Sequence, residues 1–471
     1  MNLIEAFLVQ ADARPEAAAI ITSKGRVVSY GELARRSAIR AHVMEALGIG
    51  AGDIVLIARG VSPELYETLL AVFRLGAVAM FPEPAAGLKG VGQAIAQARP
   101  KALATAGIGR WLRYLVPGAA RLRLLPEPVG KEPTIDRIAE IPGDAPALIT
   151  FTSGSTGRPK GIVRSSDFLM LQHRLLETLR KTKPADVDLI SLPVFILSNL
   201  AAGACSVIPA GKLTRPGRLS GAKLRAQIAA HGVNRIVAPP AVCARIAEGA
   251  EPMEQLEAVF TGGGPVFPNL LRALQKAAPK AAIHAVYGST EAEPIAHVEI
   301  GEIGGADWLD MSQGHGLLAG KPIPEISVEL RDGEVFVAGD HVNDGYLDPK
   351  DDASTKSRKD GRLWHRTGDA ARMDDQGRLW LLGRKEAASG ALYPFAVETA
   401  ALSWPNVAQA ALMAQAEGAV LAVAGEGLDM IDLQARAARM GEITVMQVKA
   451  VPLDKRHNSK TDYARLRKML A

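Results

Sequence analysis

Thr152-Ser153-Gly154-Ser155-Thr156-Gly157-Arg158-Pro159-Lys160-Gly161 combines hydroxyl side chains, glycines and two basic residues in one short stretch. Backbone N–H groups and hydroxyls that carry little bulk make a concave donor set suited to phosphate oxygens. Arg158 and Lys160 add positive charge. The preceding Ala147-Leu148-Ile149-Thr150-Phe151 reads as a buried strand, and Gly161-Ile162-Val163-Arg164 can resume extended structure. The pattern differs from the common P-loop, in which Gly-Lys-Ser/Thr opens a helix. Here proline precedes Lys160 and glycine follows it. Taken alone, the stretch also reads as a solvated turn. The rest of the chain decides between the two.

A length of 471 residues predicts more than one core. A hydrophobic content of 48% with 22% charged residues is that of a globular protein. Net charge is +5, from 55 basic and 50 acidic residues, with no basic block. Aromatics are few, so no nucleic-acid footprint is expected. The two cysteines, Cys205 and Cys243, make neither a disulfide framework nor a zinc set, and read as small buried residues. Leu3-Ile4-Glu5-Ala6-Phe7-Leu8 reads as a short amphipathic helix stopped near Pro15, and no secretory signal is evident. Residues 189–210 are apolar and nearly long enough to span a bilayer. Pro193, Ser198, Asn199, Gly203 and Pro209 break them into a buried strand, a turn and a helix. A cytoplasmic protein with no integral span is the expectation.

Short apolar runs alternate with helical stretches through residue 330, for example 53–58, 63–75, 77–81, 235–238 and 258–260. This alternation predicts an α/β fold with mixed or parallel sheets. From about residue 325 to 385, short strands separated by Asp332-Gly333 and Gln376-Gly377 turns predict a small antiparallel or barrel-like subdomain. Residues 386–471 read as a separate small α/β domain ending in a basic helix, which divides the chain into 1–385 and 386–471.

Four further segments carry chemistry. Phe260-Thr261-Gly262-Gly263-Gly264-Pro265 follows a strand and lets a flat ligand approach the backbone. Tyr287-Gly288-Ser289-Thr290-Glu291 offers a ring for a base, a hydroxyl for a phosphate and a carboxylate for Mg²⁺. Arg366-Thr367-Gly368-Asp369, followed by Gly383-Arg384, places an aspartate where ribose hydroxyls could be held. Arg456-His457-Asn458-Ser459-Lys460-Thr461-Asp462 reads as a solvated basic tail or as a lysine delivered to a polyanion.

In this order and at these separations the five segments resemble the adenylate-forming superfamily of acyl-CoA synthetases, luciferases and nonribosomal peptide adenylation domains. The resemblance runs from Tyr30-Gly31-Glu32-Leu33 to Lys460. It implies a large N-terminal α/β domain and a small mobile C-terminal domain. It assigns the ATP phosphates to the loop from Thr152 and Ser153 through Gly154, Ser155, Thr156 and Gly157 to Lys160. Gly262, Gly263, Gly264, Tyr287 and Gly288 would flank the adenine and the acyl channel. Thr290 would touch the α-phosphate, Glu291 would hold Mg²⁺, and Asp369 with Arg384 would bind the ribose. Lys460 would bridge the carboxylate and the α-phosphate. Glu386 matches the hinge, and Phe195, Ile196 and Ser289 fall at the substrate pocket.

The chain departs from the acyl-CoA ligase pattern at three places. Many ligases carry a histidine soon after the proline of the segment matching Leu192-Pro193-Val194-Phe195; here Ile196-Leu197-Ser198-Asn199 follows and that histidine is missing. The segment from Lys385 to Gly390 is shortened, and Arg456-His457-Asn458-Ser459-Lys460 replaces the commoner Ser-Gly-Lys. These departures are similar to the olefin-type β-lactone synthetase branch and its fatty-acid-CoA-ligase-like relatives. The implied reaction is ATP- and Mg²⁺-dependent adenylation of a carboxylic acid with release of pyrophosphate. Transfer to a thiol of CoA or carrier-protein phosphopantetheine is then the default, with an acyl carrier protein a candidate partner. Attack by the substrate's own β-hydroxyl is the alternative. A non-catalytic nucleotide-binding protein on the same fold is the rival from another class.

Overall fold

Strand-forming apolar runs and proline-initiated helices set the architecture of the computed structural model, which describes residues 2–83, 86–153, 158–415, 418–454 and 458–470. Two compact units are present: Met1–Gly211 with Asp340–Lys356, and Lys212–Gly339 with Ser357–Ala471.

In the first unit a six-stranded sheet runs in the order Arg123–Leu124, Ala102–Thr105, Ile54–Ala58, Val78–Phe81, Pro146–Ser153, Pro159–Ser165. All pairs are parallel except the last. The parallel strands read as unbroken apolar runs because both faces are covered. On one face, Val91, Ala94, Ile95 and Ala98 of helix Gly87–Ala98 pack on Leu56, Met80, Leu103 and Ile149. Their spacing is that of one helical stripe. The expected strand at 53–58 and helix at 63–75 are observed at Ile54–Ala58 and Pro63–Arg74, the latter with proline in its first turn.

The same unit contains a second group of strands: Val187–Ile190, Cys205–Val207, Ala18–Ile21 and Val27–Ser29. Residues 189–210 fold as the end of one strand, the helix Pro193–Ala202 and the strand Cys205–Val207. Gly203 closes the helix at φ +86°, a left-handed position that favours glycine. Among the described residues, no helix is long and apolar enough to cross a membrane. Burial pushes the thiols of Cys205 and Cys243 up to about 12, as expected for inert core cysteines.

In the second unit, Arg235–Ala238, Ala258–Gly262 and Ala282–Ser289 are parallel neighbours. Ala292–Glu299 then returns antiparallel to Ala282–Ser289. The antiparallel strands expected over 325–385 extend this sheet through Leu317–Pro322, Leu379–Arg384, Arg362–Met373, Glu334–Ala338 and Ser327–Arg331. They continue the parallel strands in one sheet. Farther along, Gln409–Ala414, Ala419–Ala424 and Ile443–Gln447 form a three-stranded sheet. Its apolar core includes Val397 and Ala401 from helix Pro394–Ala401, and Leu433 and Ala437 from helix Met430–Ala438. The expected C-terminal helix spans Tyr463–Leu470.

Candidate adenylation site

The phosphate-loop candidate connects two antiparallel strands. Thr152 pairs with Lys160 and Ser153 with Pro159, so the described ends of the stretch are neighbours across the two strands. Gly154, Ser155, Thr156 and Gly157 lie outside the described residues, as do Arg456 and His457 of the C-terminal segment.

What holds the hairpin is a segment that sequence reading missed. Residues 340–356 run against the strand Pro159–Ser165. Leu347 N donates to Gly161 O at 2.7 Å, and Asn343 Nδ2 donates to Val163 O at 2.8 Å. Arg158 Nη1 donates to Asp348 Oδ2 at 2.8 Å, and Nη2 donates to both Asp351 carboxylate oxygens at 2.9 Å. The charge of Arg158 is therefore engaged within the protein. Lys160 Nζ lies 5.3 Å from the Tyr346 ring centroid, within cation–π range. The only sequence signal for this segment is an acidic pair at i, i+3 after Leu347, which does not name its basic partner.

Helix Pro193–Ala202 carries Phe195 and Ile196, both buried. Arg180, Asp188 and Asn199 form a hydrogen-bonded group near that helix: Arg180 donates to Asn199 Oδ1 at 2.5 Å and also to Asp188, and Asn199 Nδ2 donates to Asp188 Oδ2 at 3.1 Å. The Arg180 guanidinium also lies 5.7 Å from the Phe195 ring centroid. The helix that carries Phe195 and Ile196 is thus backed by a paired buried charge.

The remaining expected residues lie in the second unit. The Tyr287 hydroxyl donates to Asp369 Oδ2 at 2.8 Å. Arg384 is the cross-strand partner of Asp369; its Nη1 lies 3.4 Å from Oδ1 and donates to Thr367 O at 2.7 Å. Thr367 Oγ1 donates to Val335 O at 2.9 Å and accepts from Asp369 N at 3.1 Å. Residues from two of the expected segments thus meet at one carboxylate. Burial first, and then the adjacent Asp369 carboxylate, hold the Tyr287 phenol well above its ordinary value, so it stays a donor. Asp369 retains one-fifth of its side-chain surface, 19%, open to solvent.

Tyr287, Gly288 and Ser289 end the strand Ala282–Ser289, and Thr290 and Glu291 form the turn into Ala292–Glu299. Ser289 Oγ is buried with no hydrogen-bond partner among the described residues. A buried polar atom left in this state marks a place where a ligand group can complete the bonding.

The glycine triplet divides its roles. A Cβ at Gly262 would come 2.5 Å from Val286 O, and one at Gly264 would come 2.7 Å from Ser459 Cβ. The bulk missing at those positions is used by the chain itself. Gly263 sits at φ +78° with nothing among the described residues within 4 Å of an added Cβ, so open approach remains there. Ser459 also accepts from Ala241 N at 3.3 Å, at the start of helix Pro240–Ala247. Asp454 Oδ1 accepts from the Ser459 and Lys460 amides at 3.1 and 3.0 Å. The lysine segment is therefore held beside the glycine strand end, with Lys460 exposed. Glu386 is exposed on the helical turn Lys385–Ala387.

This chemistry fits a nucleotide and a magnesium ion. Mg²⁺ is commonly held by one or two carboxylates together with substrate phosphates, not by an all-protein cage. Among the described residues no group of three or more His, Cys, Asp or Glu side chains is arranged to hold a metal ion by itself, and Glu291 supplies a single carboxylate beside the Tyr287 strand end.

Comparison with known proteins gives a consistent result. The AMP-binding enzyme family profile matches residues 7–347. An olefin beta-lactone synthetase of Stenotrophomonas maltophilia is 31% identical, covering 92% of this chain and 89% of that protein. An olefin beta-lactone synthetase of Xanthomonas campestris pv. campestris is 30% identical, covering 82% and 78%. Among solved structures, the O-succinylbenzoate coenzyme A synthetase MenE of Bacillus subtilis, in complex with ATP and magnesium ion, superposes with a TM-score of 0.80. Its identity is 21%, over 98% of this chain and 99% of that one.

Proposed function

The chain belongs to the AMP-binding enzyme family of adenylate-forming ligases, and from that premise we propose that it activates a carboxylic acid as an acyl-adenylate, using ATP and releasing pyrophosphate. The observation that carries the reading is the meeting of Tyr287, Asp369 and Arg384 at one carboxylate. An aspartate held by a phenol and a guanidinium, and still open to solvent, is built to accept the hydroxyls of a ribose.

Each set of residues then has one task. Thr152, Ser153, Lys160 and the turn between them bind the β- and γ-phosphates. The Tyr287 ring and open Gly263 face the adenine. Asp369 and Arg384 hold the ribose, and Thr290 hydrogen-bonds the α-phosphate. Glu291 holds Mg²⁺, which supplies charge neutralisation on the phosphates when bound. Lys460 neutralises charge developing between the attacking carboxylate and the α-phosphorus. Residues 386–471 act as the lid that carries Lys460, turning at Glu386.

Two acceptors are proposed for the second step. Intramolecular attack by a β-hydroxyl, giving a β-lactone and AMP, is supported by the two olefin beta-lactone synthetase relatives. It is also supported by the stretch Ile196-Leu197-Ser198-Asn199, which lacks the histidine that the resemblance to acyl-CoA ligases expects there. Transfer to a thiol of CoA or phosphopantetheine rests on the resemblance to acyl-CoA synthetases and adenylation domains. Mass spectrometry of the product from a 3-hydroxy acid, with and without CoA, separates them. A lactone formed without CoA supports the first reading; a thioester formed only with CoA supports the second.

A further inference from the structure

After the strand Ala102–Thr105 the chain makes a helical excursion through Gly107–Trp111 and Leu112–Leu115 before the edge strand Arg123–Leu124. Its inner side is anchored: Val116, Ala119 and Leu122 are buried in the core of the six-stranded sheet, and Leu112 packs against them. Its outer side is unusual. Trp111, Tyr114 and Leu115 are 62%, 77% and 58% exposed. Trp111 and Tyr114 are the only exposed large aromatic side chains among the described residues. Their rings lie 5.8 Å apart, so they present one patch.

The charge in the sequence around this patch has one sign. Residues 106–126 contain Arg110, Arg113, Arg121 and Arg123 and no acidic residue. Arg110 and Arg121 are exposed. Arg113 Nη2 donates to Ala120 O at 3.3 Å. Indole and phenol rings, apolar in body and polar at the tip, concentrate at the headgroup level of bilayers. Arginines beside them are attracted to anionic lipid. An exposed leucine next to them, as Leu115 is here, suits the acyl boundary.

We propose that the Arg110–Arg121 face, built on Trp111, Tyr114 and Leu115, docks the protein peripherally on an anionic lipid surface. The complementarity of exposed Trp111, Tyr114 and Leu115 with the exposed Arg110 and Arg121 of the same excursion selects this occupant. The charge is sequence-local and the exposed rings are anchored from behind, so the face is presented without any rearrangement of the core.

The test is co-sedimentation of the full chain with phosphatidylcholine vesicles and with vesicles containing roughly one-third phosphatidylglycerol. The protein is expected on the anionic vesicles, with little on the neutral ones, and to be released at about 0.5 M salt. Trp111→Ser/Tyr114→Ser and Arg110→Glu/Arg121→Glu should each weaken binding by about tenfold or more. These side chains lie outside the adenylation machinery, so acid-dependent pyrophosphate exchange should be unchanged, which also shows that the variants fold. Arg110→Lys/Arg121→Lys should restore binding. Equal sedimentation of wild type and variants, or none of the wild type on anionic vesicles, would overturn the proposal. So would a dimer of the wild type that is lost in the aromatic variant without vesicle binding, since the face would then be a contact between two copies.

Discussion

Tyr287 and Asp369, 82 positions apart in sequence, share a 2.8 Å hydrogen bond in which the phenol is the donor. The phenol occupies one side of the carboxylate and Arg384 lies near the other. An ionised acceptor is worth more than a neutral one, roughly 1.5–3 kcal/mol per hydrogen bond. Asp369→Asn should therefore raise the KM for ATP by about ten- to a hundredfold. Tyr287→Phe keeps the ring and should change it only a few-fold. Initial-rate kinetics at varied ATP measure both, and an Asp369→Asn enzyme with unchanged ATP dependence would remove the ribose assignment.

Arg158 bears on the phosphate hairpin through Asp348 and Asp351. Because these ions are partly exposed, solvent screening leaves their loss with little effect on stability. Its effect belongs in the positioning of Lys160 and the turn. Arg158→Met and Asp351→Asn should each raise the KM for ATP several-fold with a smaller change in kcat. The double variant should be no worse than either single one, because both remove the same interaction. Additive losses in the cycle would mean that the two side chains act separately.

Gly264 and Ser459 make a steric pair. Alanine at 264 would place its Cβ 2.7 Å from Ser459 Cβ. Overpacking of this kind costs about 1–3 kcal/mol, here borne by the segment that carries Lys460. Gly264→Ala should lower the adenylation rate about tenfold or more, and Ser459→Gly should restore it. A Gly264→Ala enzyme at full rate would show that the lysine segment need not sit beside the glycine strand end.

Glu398 sets a pH dependence. Burial pushes its carboxyl from an ordinary 4.5 up to about 8, even though it accepts a hydrogen bond from Leu412 N at 2.9 Å. The folded state thus keeps a proton that the unfolded state has lost. This contribution is fully present below the unfolded value and is lost as pH rises through about 8. The slope is at most about 1.4 kcal/mol per pH unit. Asp374 behaves oppositely: burial raises it, but bonds from Trp380 and Arg378 outweigh burial and take it down to about 2, so its contribution is lost only in acid. Urea unfolding between pH 5 and 9 should show a smaller decline for Glu398→Gln than for wild type. Parallel curves would place the loss elsewhere.

The fold was legible where one rule controls a stretch. Continuous apolar runs marked the parallel strands, and Asp332-Gly333 marked the turn between Ser327–Arg331 and Glu334–Ala338. The distant partners of Asp369 were available only through the resemblance, because no local rule pairs a tyrosine with an aspartate 82 positions away. The Arg158 clamp was not legible at all. Its acidic partners lie 190 and 193 positions on, and the basic residue itself looked like part of the phosphate site. The division of Gly262, Gly263 and Gly264 was hidden for the same reason: which glycine is crowded depends on Val286 and Ser459.

The central claim is chemical and rests on acid-dependent exchange of pyrophosphate into ATP. With a panel spanning fatty, 3-hydroxy and aryl acids, at least one acid should stimulate exchange in the wild type. Lys460→Ala should lower that exchange by about a hundredfold while ATP affinity stays nearly the same. A protein that binds ATP yet shows no exchange with any acid of the panel, or a Lys460→Ala variant as active as wild type, would contradict the account.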